Sequence, residues 1–286
     1  MLRFIFVITS MVFSFILHAQ NLEKSLLWKI SGNGLKQPSY IFGTMHAVCE
    51  INFDKNIKKA LDETTQMYLE IDMDDPNLQG IMMKGITMKD GVTLSSLMTE
   101  EEAEIVDKYL KENINLSIKM VDNIKPFMIS AMFLPKLLDC PMQTIETELV
   151  KISKEQNEEI FGLESITDQL DVFDKIPYQA QLDELIKSAK DNLVKDKAET
   201  KKMLAIYKEQ DIEAMLAIMK DSENKISSEF EEILINDRNA NWIPIMERVS
   251  KEKPTFYGVG AGHLAGEKGV IKLLRKKGYT VEVFRN

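Results

Sequence analysis

Strand-like apolar segments lie near both ends of this chain, and the long stretch between them is mostly helical in pattern. Near the start, residues 25–31 and 38–45 are predicted to be two strands joined by a tight turn. Near the end, residues 255–260 and 279–284 are predicted to be strands on either side of a short helix. Such segments bury their apolar faces by pairing. The sequence therefore predicts an α/β fold with a central mixed sheet, built from N- and C-terminal strands and surrounded by helices.

Helices are predicted for most of the middle of the chain. Thr99 and Glu102 form a capping box at the start of an amphipathic run that extends to about residue 112. A second helix is predicted from Pro126 to about Leu138, with a kink at Pro135. A third helix is predicted over residues 145–156.

Two short apolar runs, residues 66–72 and 158–163, are predicted to be buried strands that interrupt the helical middle. Residues 165–250 then carry apolar side chains at three- and four-residue spacing, which is typical of packed helices. We expect a single domain over residues 21–286. Its helical insertion or lid would comprise residues of about 99–156 and 165–250.

The first residues are typical of an export signal. Arg3 precedes an apolar run over residues 4–17, and the small residue Ala19 lies near a plausible cleavage point. We expect residues 1–20 to be removed and the mature chain to be periplasmic or secreted, with no stable membrane span after cleavage. The run is too short to cross a bilayer comfortably, and an uncleaved membrane anchor is the alternative.

The charge of the chain limits its partners. The net charge is −9, and an acidic protein repels phosphate backbones. Nucleic acid is therefore not expected as a partner, and a peptide or small-molecule substrate is. No oligomeric state is predicted.

The chain has two cysteines, Cys49 and Cys140. In an oxidising compartment they can form a disulfide. Two free buried thiols are the alternative, and a third interpretation makes Cys49 a nucleophile beside His46.

The histidines are few and share a motif. The chain has three, and His18 lies in the predicted signal. The other two, His46 and His263, each end a Gly-x-x-His motif that follows a strand-like run. Loops at the carboxyl ends of strands collect functional groups in α/β sheets, and imidazole is a common metal ligand. The residues leave two interpretations open: ligands of a divalent ion, or structural histidines that cap strand ends.

Other candidate site residues stand out by their context. Glu70 lies within the apolar run MYLEI, and Glu164 closes the strand-like IFGLE. Buried carboxylates are costly unless they are paired or bind metal, and an ordinary salt bridge or helix cap is the alternative for each. Arg238 and Asn239 lie on a predicted helix. Arginine can clamp a carboxylate or a developing oxyanion, and a surface ion pair is the alternative.

These motifs resemble those of the TraB/GumN family, which includes the Tiki proteins. The matching stretches are LLWKISGNGLKQPSYIFGTMHAV, MYLEID, IFGLESITDQL, NDRNANW and FYGVGAGHLAGEKGVIKLLRKKGYTVEVF. The resemblance implies a Tiki-like fold, related to erythromycin esterase and to ChaN haem-binding proteins, with a central sheet surrounded by helices.

The resemblance also implies a chemistry, because Tiki proteins are described as proteases that depend on Mn or Co. The positions that match the family's motifs are His46, His263, Glu70, Glu164, Arg238 and Asn239. A divalent ion, Mn or Co first and Fe or Zn next, would be held by the histidines and one or two glutamates. A glutamate that does not bind metal would act as general base, and Arg238 would stabilise the oxyanion.

Three functions follow as hypotheses. The leading one is an exported metal-dependent hydrolase that acts on peptides. The second is a binding protein that sequesters a peptide, haem or metal without turnover. The third is a surface interaction protein that uses the helical region.

Overall fold

A six-stranded mixed sheet forms the centre of the protein. The structure, a computed structural model, describes residues 22–285, so the predicted export signal lies outside the described residues. The strands are β1 (Leu27–Ser31), β2 (Ser39–Thr44), β3 (Met67–Leu69), β4 (Ile160–Gly162), β5 (Phe256–Gly260) and β6 (Thr280–Val283). Their order across the sheet is β4-β3-β5-β2-β1-β6.

The two ends of the chain meet in this sheet. Strands β2, β5, β3 and β4 run parallel to one another, and β1 lies antiparallel between β2 and β6. The C-terminal strand β5 is inserted between β2 and β3, with Tyr40 of β2 opposite Phe256. The predicted α/β fold with a sheet built from both ends is therefore confirmed.

Helices surround the sheet and make up most of the remaining chain. They are α1 (Lys55–Asp62), α2 (Leu78–Gly85), α3 (Leu94–Leu97), α4 (Glu100–Ile114), α5 (Ile118–Val121), α6 (Pro126–Ala131), α7 (Ile145–Gln156), α8 (Ile166–Asp174), α9 (Tyr178–Asp191), α10 (Val194–Lys208), α11 (Ile212–Lys220), α12 (Lys225–Glu229), α13 (Asp237–Glu252) and α14 (Val270–Lys276). The backbone also forms 3₁₀ turns over Leu134–Lys136 and Ala261–His263 and a π turn over Glu232–Asn236. Among residues 22–285, no helix has the length and apolar character needed to cross a membrane.

Local signals account for several of these helices. The predicted capping box forms at α4, where the Thr99 hydroxyl accepts from the Glu102 N–H and the Glu102 carboxylate accepts from the Thr99 N–H. The predicted helix from Pro126 to Leu138 is wrong in length, because α6 ends at Ala131. The nitrogen of Pro135 carries no hydrogen, so it cannot donate to a carbonyl one turn earlier and the helix does not continue.

The helical middle divides between two hydrophobic cores. One core surrounds the sheet and takes in α7 and helices from residue 194 onward, through Leu149, Tyr207, Leu216 and Trp242. The other lies among helices alone, where buried residues of α4 and α9 pack around Phe133. The helical region is thus partly a cover for the sheet and partly a body with its own core.

A disulfide joins Cys49 to Cys140, with the two Cα atoms 5.6 Å apart. This agrees with the pairing expected from the sequence. The same two loops also pair through their backbones, since Val48 and Gln143 exchange hydrogen bonds of 3.0 and 2.8 Å. The loop that follows β2 is therefore held against the start of α7.

Candidate functional site

The candidate site lies at the carboxyl edge of the four parallel strands. His46 follows β2 and Glu70 directly follows β3. Glu164 lies just past β4, and His263 ends the 3₁₀ turn that follows β5. Parallel strands end at the same edge of a sheet, so four residues that are far apart along the chain come to one side of the molecule.

Arg238, on α13, lies between the two glutamates. Its Nη2 atom is 2.6 Å from Oε2 of Glu70 and 2.6 Å from Oε1 of Glu164, while Nε lies 3.0 and 3.1 Å from the two oxygens of Glu164. Its Nη1 atom donates to the carbonyl of Leu234 at 3.0 Å and to Nε2 of His263 at 3.2 Å. A guanidinium has five N–H bonds, and here each has an acceptor. Arg238 therefore has no donor left for the oxyanion role that was predicted from the chemistry of arginine.

Glu70 is a buried, ionised carboxylate. Its side chain is 11% exposed, and Oε1 accepts a hydrogen bond of 2.7 Å from the backbone N–H of Gly260. Burial raises the pKa of Glu70, whereas positive charge on His263, the Arg238 guanidinium and the Gly260 N–H lower it, to about 2 on balance. The contacts of His263 keep its ring neutral near pH 7, so the cations that keep Glu70 ionised are Arg238 and the charged ring of His46.

The glycines of the two Gly-x-x-His motifs allow close approach. A Cβ on Gly43 would lie 3.0 Å from the Cβ of Ala261 and 2.9 Å from Cδ1 of Leu264, so the two motifs pack directly against each other. A Cβ on Gly260 would lie 3.1 Å from Oε1 of Glu70. The second glycine thus leaves room for the carboxylate that its own N–H binds.

His263 is buried and held in one tautomer. Asn239 donates through Nδ2 to the carbonyls of His263 and Lys268, so its Oδ1 is the acceptor that faces Nδ1 of His263 at 2.7 Å. Arginine can only donate, so Nε2 of His263 accepts from Arg238. Nδ1 therefore carries the proton and the ring is neutral. Burial lowers the pKa of His263 to about 3, and the positive charge of Arg238 acts in the same direction, although Glu70 opposes it.

Glu164 anchors the other side of Arg238. Its Oε2 accepts from Nε1 of Trp242 at 3.2 Å, and its Oε1 accepts from Nε2 of Gln169 at 3.3 Å. Trp242 also lies 4.9 Å from the Arg238 guanidinium and 4.5 Å from the His263 ring, measured to ring centroids. With so many partners, Glu164 serves to position Arg238.

His46 has a different environment from His263. Its side chain is 63% exposed, and Nδ1 lies 2.9 Å from Oε1 of Glu146, which also accepts from the Thr44 hydroxyl at 2.7 Å. The hydrogen bond to Glu146 raises the pKa of His46 to about 9, burial opposes this, and the charge of Glu70 adds to the rise. His46 is therefore an accessible imidazolium at pH 7.

Glu146 is the partner that the sequence did not reveal. It lies in the first turn of α7, where an acidic residue is common because it stabilises the helix end, so its position carries no functional signal. The disulfide, the pairing of Val48 with Gln143 and the hydrogen bond from Thr44 hold it beside His46. Its side chain is 8% exposed, and Oε2 has no hydrogen-bond partner among the described residues.

The predicted metal ligands do not fit a divalent ion in this arrangement. Glu70, Glu164 and His263 direct their lone pairs at Arg238, and His46 directs Nδ1 at Glu146. Within residues 22–285, no group of three or more His, Cys, Asp or Glu side chains is placed to hold a metal.

The fold and site define an α/β protein with a charged, partly buried centre at the carboxyl edge of its sheet. The sequence pattern of the TraB/PrgY/gumN family matches residues 26–283, which include every residue of this site. The chain therefore belongs to the TraB/PrgY/gumN family. Comparisons with curated proteins and with solved structures give no match.

Proposed function

We propose that this protein is a hydrolase in which His46, paired with Glu146, transfers the proton. One observation carries the proposal: an exposed imidazole at the carboxyl edge of the sheet is hydrogen-bonded to a buried carboxylate at 2.9 Å. A carboxylate at Nδ1 orients the ring and stabilises the imidazolium that forms when the opposite nitrogen takes a proton.

The reaction needs the Nε2 atom of His46, because Nδ1 is engaged by Glu146. In the neutral ring, Nδ1–H donates to Glu146 and Nε2 removes a proton from a water molecule. The water oxygen attacks the substrate carbonyl carbon. The imidazolium then returns the proton from Nε2 to the leaving nitrogen or oxygen as the carbonyl bond to it breaks. The products are a carboxylic acid and an amine or alcohol.

The buried cluster around Arg238 also influences the charge of His46. The negative charge of Glu70 raises the pKa of His46 and so favours the imidazolium, whereas the positive charge of Arg238 opposes this. A cavity of about 460 Å³ adjoins the cluster, with Glu164 in its wall and the apolar side chains of Leu78, Ile81 and Ile245 around it. A cavity of this size accepts a side chain or a small acyl group. His46 does not line this cavity, so we leave the position of the substrate open, and peptides remain the first class to test.

The test is the rate of hydrolysis of a panel of peptides and esters between pH 6 and pH 10. Only the neutral imidazole accepts a proton, so the rate should rise with pH and level off near pH 9, the pKa of His46. His46→Gln should lower the rate by about 100-fold or more. Glu146→Gln should move the plateau to lower pH, whereas the control Glu148→Gln, a half-buried acid of the same helix turn that pairs with Lys151, should leave the profile unchanged.

The same assay tests the metal prediction. Activity that survives a chelator supports the step proposed here. Activity that a chelator removes and Mn or Co restores would support the metal-dependent hydrolase instead and contradict this step. Equal rates for the parent and His46→Gln, or no hydrolysis of any substrate, would favour the non-catalytic binding protein.

We also propose that the protein is exported. The disulfide between Cys49 and Cys140 supports this, since such bonds persist in oxidising compartments. Mass spectrometry of the protein from fractionated cells should find a chain that begins near residue 20 outside the cytoplasm. An intact N-terminus in the cytoplasmic fraction, with both thiols free, would contradict the proposal.

A further inference from the structure

We propose that a second cavity, on helix α10, binds the alkyl chain of a long-chain carboxylate, with Lys208 beside the carboxylate. The cavity has a volume of about 690 Å³ and is lined by residues of α10, of the loop after β2 and of strands β1, β2 and β6. It shares no lining residue with the cavity beside Glu164. The inference does not depend on the proposed hydrolysis and is tested by binding alone.

Helix α10 leaves this space because it is attached to the sheet mainly through one side chain. Tyr207 is the only buried residue among its 15, and the Tyr207 hydroxyl donates to the carbonyl of Gly43 at 2.8 Å. Leu204, one turn earlier, is half-buried and lines the cavity. A helix that packs closely along its whole length buries a continuous apolar stripe. Because α10 buries none before Tyr207, a space remains beside Leu204.

The walls of the cavity are largely apolar. Leu27 and Phe42, which lie opposite each other in β1 and β2, are buried at its sheet side. Ile57 and Phe284 are half-buried, so part of their apolar surface faces the cavity or the solvent. The volume is within the range of about 300–1,000 Å³ that is usual for small-ligand sites. An apolar ligand would remove these side chains from water, which favours binding.

Three of the five charged side chains that line the cavity are basic. The five are Lys24, Lys208, Arg285, Glu50 and Asp54. Asp54 accepts from two backbone N–H groups at the start of α1, so the helix end offsets its charge. Lys24 and Arg285 form ion pairs with nearby carboxylates. Lys208, in the last turn of α10, has no carboxylate partner within residues 22–285, so its ammonium is available to an anionic ligand.

An alkyl chain that ends in a carboxylate matches both features. The chain can follow apolar walls that several elements contribute, and the carboxylate can lie beside the Lys208 ammonium. Lys208 is exposed, so water screens this ion pair and the pair adds little affinity. The buried chain therefore supplies most of the binding free energy, and the charge determines which end of the ligand lies at Lys208.

Isothermal titration calorimetry of the purified, delipidated protein with four matched ligands tests the proposal. Dodecanoate should bind one equivalent, at least about 100-fold more tightly than butanoate, because the short chain leaves most of the apolar wall in water. Dodecanol has the chain without the charge and should bind about two- to fivefold more weakly than dodecanoate. Dodecylammonium, with the opposite charge, should bind more weakly than dodecanol.

Two pairs of variants locate the ligand. Leu204→Trp should weaken dodecanoate binding at least about tenfold, because the larger side chain fills the cavity. Val194→Trp places the same ring on the same helix at a position that is 67% exposed and outside the cavity, so it should leave the affinity unchanged. Lys208→Gln should weaken dodecanoate binding about two- to fivefold and leave dodecanol binding unchanged. Lys202→Gln, at another exposed lysine of α10, should change neither.

A photoreactive diazirine analogue of dodecanoate gives a second measurement that needs no variant. Mass spectrometry should find the label on residues that line the cavity, such as Ile57, Leu204 or Phe284. Label beside Glu164 instead, equal affinities for dodecanoate and butanoate, or tighter binding of dodecylammonium than of dodecanoate would each overturn the proposal. A synthetic peptide of residues 4–17 that displaces dodecanoate at equal concentration would also overturn it, because the chain's own apolar segment would then be the occupant.

Discussion

His46 and His263 end the same motif, yet their rings lie in opposite surroundings. The His46 ring is exposed and held by a carboxylate, which favours the charged form. The His263 ring is buried between Arg238 and Asn239, which favours the neutral form. One is suited to exchanging protons with a substrate, and the other to holding a charged cluster in place.

The pH dependence of stability should report the neutral state of His263. Its pKa in the folded protein is about 3, below its ordinary value of 6.5, so the unfolded chain takes up the proton first as the pH falls. The stabilisation from this group is complete above pH 6.5 and is lost as the pH falls toward 3. The free energy of unfolding of the parent relative to His263→Gln should therefore fall by roughly 2 kcal/mol between pH 7 and pH 5.

Urea denaturation at several pH values measures this difference. Taking the difference removes the contributions of other groups, such as Glu158, whose pKa burial raises to about 7 and which acts with the opposite sign. His46 contributes little to either curve, because its side chain is 63% exposed and water screens its ion pair. A difference that stays constant from pH 7 to pH 5 would mean that His263 is not held neutral.

The sequence identified most residues of the cluster around Arg238, but not which of them contact one another. The motifs singled out Glu70, Glu164, Arg238, Asn239 and His263, and the structure brings these together. Their composition alone fits a metal site or an ion-pair cluster equally well. The choice depends on where the guanidinium lies to within an ångström, which no spacing along the chain encodes.

At the scale of elements, packing between the two motif loops decides which residues fit. Gly43, in β2, lies against Ala261 and Leu264, which flank His263. Gly80, in α2, has no atom within 4 Å of the position that a Cβ would take. The two glycines therefore offer a matched pair of substitutions with opposite consequences.

Gly43→Ala should lower the free energy of unfolding by roughly 1–3 kcal/mol, because the added methyl group overpacks the contact between the motifs. Gly80→Ala should raise it by up to about 1 kcal/mol, because alanine favours the helix and meets no obstacle. Chemical denaturation of both variants beside the parent provides the measurement. Equal effects of the same sign would show that the motif loops are not packed as described.

The elements that the sequence predicted best were helices whose start and end are determined by residues close to them in the chain. The capping box at Thr99 and the helix over residues 145–156 depend on side chains and backbone within a few residues. The length of α6 was overestimated, because its apolar pattern continues past the point where Pro135 prevents the helical hydrogen bond.

At the scale of the whole molecule, the disulfide closes the loop that brings His46 to Glu146. Cys49 and Cys140 are 91 positions apart, and joining them reduces the conformational freedom of the unfolded chain. Replacing both by serine should lower the free energy of unfolding by about 4–5 kcal/mol in the chain-entropy account.

Equilibrium denaturation of Cys49→Ser/Cys140→Ser beside the parent tests this effect. Adding a reductant to the parent should reproduce most of the loss, which serves as an internal control. A loss below about 1 kcal/mol would indicate that the bond does not constrain the unfolded chain.

The sequence predicted that strands from both ends of the chain form one sheet. It did not predict that the helices divide between two hydrophobic cores. Apolar strands at both ends of a chain have few ways to be buried except in a shared sheet. An amphipathic helix, in contrast, shows that one face is buried without showing against what. The separate core around Phe133 therefore became apparent only in the structure.

The central claim is that two histidines in the same motif hold opposite charge states, and NMR titration of the imidazole rings tests it most directly. His46→Gln and His263→Gln assign the signals. We predict that His46 titrates near pH 9 and that His263 stays neutral below pH 5 with its proton on Nδ1. Titration of both rings near 6.5, the ordinary value for histidine, would contradict the account.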